Sequence, residues 1–158
     1  LTAVIDGLSP RRAARALERL TALGGKASGP AAALLGGAIR VVAPGAAEDA
    51  YRQGQLARAK QLLATARAAK SQLGAEELAH DLAVIALAEG RVDAAIAELE
   101  RLAPKVPEAW ISLGLAYERK GDQEHALDAW QRAKKAGVRF APLAEWIDAK
   151  ERIYGGAK

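Results

Sequence analysis

A chain of 158 residues, 51% of them hydrophobic, is long enough to bury a core of its own, which excludes a disordered tail. Aromatics are only 4% and alanine leads the apolar set, so the composition suits closely approaching helices and an all-α class. Cysteine is absent, which excludes a disulfide framework, a thiol nucleophile and a thiolate metal site, and leaves cytoplasm and periplasm equally open.

The net charge of +4 conceals an uneven distribution. Residues 1–70 hold 11 Lys and Arg against 4 Asp and Glu, whereas residues 71–158 hold 12 against 15. The chain starts at Leu1 and contains no Met, so it reads as a fragment or a processed product.

In chain order, Ser9-Pro10 predicts a helix start and Gly24-Gly25 its end, with Ala13, Leu17 and Leu20 facing inward over about 10–23. Arg11, Arg15 and Arg19 recur every four residues and form one basic stripe on that helix, either a solvated face or a site for an acidic partner. No aromatic residue interleaves these arginines for stacking on bases, so nucleic acid is disfavoured. Measured from Gly7, the inward residues sit one place later than in the units below, as in the second half of a degenerate repeat. "LGGKAS", residues 23–28, shares Gly and Lys with a phosphate loop, but Ala27 stands where Ser or Thr would hold magnesium.

The stretch "ASGPAAALLGGAIRVVAPGAA", residues 27–47, has Arg40 as its only charge. Its unbroken apolar run from Ala31 to Ile39 is short of the roughly 20 residues a membrane span needs. A buried helix is expected over 30–43, broken at Pro44-Gly45 and followed by a short helix from 46 to 53.

From there a pattern recurs. Gly54, Gly90 and Gly121 are each followed by Ala59, Ala95 and Ala126, then by Leu63, Leu99 and Trp130, then by Ala66, Leu102 and Ala133, at the same offsets. Such a period is the signature of stacked helix-turn-helix units. Each glycine stands where a helix ends and a left-handed backbone is needed, and Asp93 and Asp122 follow in the first turn of the next helix, where a carboxylate meets free N–H groups. The alanines are small because the two helices of a hairpin cross there. Pro104 and Pro107 punctuate the linker between hairpins, and Pro142 opens a final helix carrying Leu143, Trp146, Ile147, Lys150 and Tyr154 at helical spacing. This last helix reads as a cap on the stack.

In residues 107–133 the pattern Trp110-x-x-Leu113-Gly114-x-x-Tyr117, then Gly121, Ala126 and Ala133, resembles the tetratricopeptide repeat family, with Trp130 where an aromatic is usual. Residues 76–107 fit more loosely, with Ala79, Leu82, Ala83 and Ala86 in place of larger residues, and residues 40–70 match from Gly54 onward. The resemblance divides the chain into irregular N-terminal helices (1–39), repeats at about 40–73, 76–106 and 107–140, and a capping helix and tail (141–158). It implies a right-handed superhelical stack of antiparallel helix pairs, whose first helices line a concave groove for a peptide or a partner protein.

The helical wheel supports a groove separately. Beside the packing stripe Trp110, Leu113, Gly114 and Tyr117 lies a second apolar stripe of Ile111 and Leu115; beside Ala79, Leu82, Ala83 and Ala86 lie His80, Val84 and Leu87. With the family's geometry, Val84, Leu87, Ile111 and Leu115 face the groove, partly exposed, with His80, Glu108, Glu118 and Arg119 around them. The alternative is that a neighbouring helix of the same chain buries this second stripe. The Lys, Asn and Arg with which some family members grip a C-terminal carboxylate are missing: the matching places hold His80, Asp81, Val84, Ile111, Ser112 and Leu115.

Glu77-x-x-His80 has the spacing of half a di-iron site, but His125 has Asp122 in place of the second Glu. With two His and no Cys there is no acid–base or nucleophilic set. The expectation is a non-catalytic scaffold without metal or cofactor, part of a larger bacterial-type assembly. Self-association, or binding of a polyanion or acidic partner through Arg11, Arg15 and Arg19, stands as the alternative.

Overall fold

Alanine and leucine at helical spacing, interrupted by isolated Gly and Pro, dictate helices joined by short turns. The computed structural model describes residues 9–24, 28–68 and 74–154, and among them every regular element is helical, with no strand. The helices are α1 (Pro10–Gly24), α2 (Pro30–Arg52), α3 (Leu56–Ala68), α4 (Ala75–Ala88), α5 (Val92–Leu102), α6 (Ala109–Lys120), α7 (Gln123–Lys135) and α8 (Leu143–Tyr154). Gly7, Lys26 and Ala27, which entered the degenerate-repeat and phosphate-loop readings, lie outside the described residues.

The expected turns at Gly54, Gly90 and Gly121 are all left-handed, with φ between 72° and 88°. At each, the glycine N–H donates to the carbonyl three residues back and the next N–H to the carbonyl five back. At Gly121 the acceptors are Glu118 (3.0 Å) and Tyr117 (2.9 Å). This pairing satisfies carbonyls that a helix end would leave bare. Gly137 (φ 76°) repeats the arrangement between α7 and α8, outside the repeat pattern of the sequence.

The chain separates into two compact units, residues 1–78 and 79–158. In the first, α1 packs on α2, and α2 on α3. Ala13 and Leu17 are buried as expected, and a Cβ at Gly45 would lie 2.9 Å from that of Ala13. The expected break at Pro44-Gly45 is corrected: α2 is continuous, and Gly45 serves the close approach of α1 instead. Proline costs an interior helix about 3 kcal/mol, which burial of Val42, Ala43, Ala46, Ala47 and Ala50 offsets. Position 39/40, the expected domain boundary, therefore lies within a helix.

A second correction concerns burial. Only the latter half of α2 is covered; Ala31 to Leu34 are exposed, Leu34 at 77%. By length and composition α2 is apolar enough to cross a membrane (mean hydropathy 1.3 over its most apolar 18 residues), but one such helix does not indicate a span.

In the second unit, Ala83, Ala86 and Leu87 of α4, Ala95, Leu99 and Leu102 of α5, and Leu113 and Ala116 of α6 share one core. The crossing alanines Ala59, Ala95 and Ala126 are fully buried, as their small size requires. Leu82, expected in the packing stripe, is instead 36% exposed, because Ala83 and Leu87 take the core-facing places on α4. A second core joins Ile111, Trp130 and Ala133 to Leu143 and Ile147 of α8, so α8 does cover the apolar end of the α6–α7 hairpin. Gly114 has no side chain because the Trp130 ring lies against it, and the indole N–H donates to the Ile111 carbonyl (3.3 Å). Arg132 lies over Trp110, 5.1 Å from the ring centre.

Polar contacts tie α5, α6 and α7 together at their solvent edge. Lys120 Nζ meets Asp93 at 2.7 Å, so Asp93 serves the next hairpin in addition to its own helix start. The Tyr117 hydroxyl donates to the Glu100 carboxylate, which pushes its pKa up to about 12. Asp122 caps α7 by accepting the His125 backbone N–H (3.2 Å), and the His125 ring stacks on Tyr117 with centroids 5.0 Å apart.

Candidate partner-binding face

Two helices that bond at one constant sequence offset at both ends must lie parallel and side by side. His80 Nε2 and Ser112 Oγ are 2.9 Å apart, and Arg119 donates to the Leu87 carbonyl, both 32 residues apart in sequence. These contacts set α4 beside α6. Glu118 and Lys150, at 2.7 Å, repeat the offset and set α8 beside α6.

Along this row the expected residues divide. Val84 is half-buried and Leu115 is 36% exposed, so both present apolar surface. Leu87 and Ile111, expected to be partly exposed, are buried at 8% and 9%. The reason is tertiary: α5 folds back over Leu87, and Leu143 and Ile147 of α8 cover Ile111. Glu108 is exposed, and Glu118 is committed to Lys150. Arg119 is held by the Leu87 carbonyl, which fixes its guanidinium at the rim.

His80 shows the electrostatics of the row. Burial, partly opposed by the charge of Glu108, lowers its pKa below the ordinary value and favours the neutral ring that Ser112 contacts. Ser112 and Lys150 were absent from the expected set; the signal for both is the 32-residue offset, close to the 31-residue spacing of Gly90 and Gly121. Among the described residues no three His, Cys, Asp or Glu side chains converge on one point.

Arg11, Arg15 and Arg19 are all exposed, on the side of α1 opposite its buried ridge of Ala13 and Leu17, and the helix borders a cleft on either side of that ridge. Arg11 lines a cleft of about 510 Å³ with Arg58 and the buried Asp49, which accepts from Gln53 Nε2 at 2.7 Å. Arg19 lines a separate groove with Arg12, and Arg15 borders both. Arg12 was not singled out in the sequence because it breaks the four-residue spacing.

No protein-family model matches the chain, and no curated protein matches it.

Proposed function

We propose that this chain is a non-catalytic helical-repeat scaffold of the tetratricopeptide type, which holds a peptide or helix of a partner protein across the row of α4 and α6. The observation that carries this reading is the common offset of the His80–Ser112, Leu87–Arg119 and Glu118–Lys150 contacts. A single hairpin needs no such row; a stack of first helices produces one, and its open side is a surface on which a segment can lie. Val84 and Leu115 supply the apolar contact, with His80, Glu108 and Arg119 around them. With Leu87 and Ile111 in the core, the contact is narrow, suited to one apolar anchor residue.

The test is selection of a displayed peptide library on the full chain. The selected peptides should share an apolar anchor, and Leu115→Asp should weaken them about tenfold or more while leaving helicity and melting nearly unchanged, since an exposed carboxylate stays hydrated. Equal binding by Leu115→Asp, or its unfolding, would overturn the reading.

A further inference from the structure

The groove between α1 and α2, about 500 Å³ in volume, has Leu20, Ala38 and Val42 on its floor and Arg12, Arg15 and Arg19 along one rim. Arg58 is paired with Glu18 at 2.9 Å, but these three arginines have no acidic partner among the described residues. Helical spacing continues the apolar floor outward. Leu34, Ala38 and Val42 recur every four residues and share one face of α2, and Leu23 lies four residues beyond Arg19 on α1. Leu34 is 77% exposed and Leu23 59%. From Leu34 to Val42 the floor runs about 12 Å, or roughly two helical turns.

Shape and charge together select the occupant. A furrow between two packed helices accepts the side-chain ridge of a third. A rim of cations three and four residues apart matches carboxylates at the same spacing on such a helix. A lipid surface is flat and would leave the floor at Ala38 and Val42 unfilled. We propose that this groove docks an amphipathic helix of a partner protein, whose ridge of small and leucine side chains is flanked on one side by Asp or Glu every three to four residues. This site is distinct from the α4–α6 row and does not depend on it.

The probe is a synthetic helical peptide of about five turns with a Leu/Ala ridge flanked by Glu at i and i+4. Its Glu→Lys counterpart and vesicles of phosphatidylcholine with phosphatidylserine are run beside it against the full chain. The Glu peptide should bind, and should bind less tightly as salt rises through the range where exposed charges are screened. The Arg12/Arg15/Arg19→Glu variant should lose about tenfold or more in affinity, and Leu34→Glu a similar factor, both with unchanged helicity because the altered side chains are exposed. Leu115→Asp, in the other unit, should leave binding within about twofold. Absence of binding, equal binding of the Lys peptide, or equal binding by the charge-reversed chain overturns the proposal. Vesicle binding without peptide binding overturns it in favour of lipid. A gain of about tenfold on deleting residues 1–8 assigns the groove to the chain's own N-terminus and overturns it equally.

Discussion

Gly114 and Trp130 meet where α6 and α7 approach most closely, and neither can give way. A Cβ at Gly114 would fall on the indole, and Trp130, 1% exposed, is enclosed by Ile111, Leu143 and Ile147. Gly114→Ala should therefore destabilise the unit by about 1–3 kcal/mol, although alanine is the better helix former. At this size that lowers Tm by roughly 5 °C or more, measurable by circular dichroism. An unchanged Tm would mean that the helices separate without cost. The two histidines make opposite predictions. His80 has a lowered folded pKa from burial, so its contribution to stability is present above about pH 6.5 and is lost as pH falls through that lowered value. His125, whose pKa is raised by its hydrogen bond to Asp122 (2.8 Å), contributes below about pH 6.5 and loses that contribution as pH rises through the raised value. Imidazole resonances followed by NMR should separate, His80 titrating below His125. His80→Asn should reduce the acid-side loss of Tm, and His125→Gln the alkaline-side loss; coincident titrations near 6.5 would refute both assignments.

Among the elements, α2 departs furthest from local rules. Its sequence contains Gly36, Gly37, Pro44 and Gly45, all poor in a helix interior, yet it is the longest described helix. Burial of Ala43, Ala46, Ala47 and Ala50 against α1 and α3 outweighs propensity. Pro44→Ala restores a backbone donor to the Arg40 carbonyl and should stabilise the fold by about 1–3 kcal/mol. The comparison of urea midpoints would show it. A loss of stability would instead mean that the half-buried ring is part of the packing. The turns behave in the opposite manner. Gly54, Gly90, Gly121 and Gly137 close their helices with one pair of hydrogen bonds repeated four times, because only the local backbone is involved. This locality is why three of the four were legible before any tertiary contact was known.

For the molecule as a whole, charge follows the division into units. Residues 1–78 carry 11 Lys and Arg against 6 Asp and Glu, and residues 79–158 carry 12 against 13, so both the basic excess and the arginine-rimmed groove belong to the first unit. Of the candidate face, the sequence identified the helices and the wheel positions of His80, Val84, Leu115 and Arg119, since 3.6-residue periodicity is a property of one helix alone. It misjudged Leu87 and Ile111, because whether a second apolar stripe is open depends on which helix folds across it, and α5 and α8 are those helices. The same reason applies to α1: spacing places Arg11, Arg15 and Arg19 in one exposed stripe, but only the seating of Ala13 and Leu17 on α2 decides that this stripe borders two clefts. The sequence by itself determined helix class, turn chemistry and the small residues at helix crossings, all governed by backbone conformation and side-chain size within a few residues. The tertiary structure decided the continuity of α2, the burial of Leu87 and Ile111 and the pairing of His80 with Ser112, because each depends on surfaces brought together from distant parts of the chain.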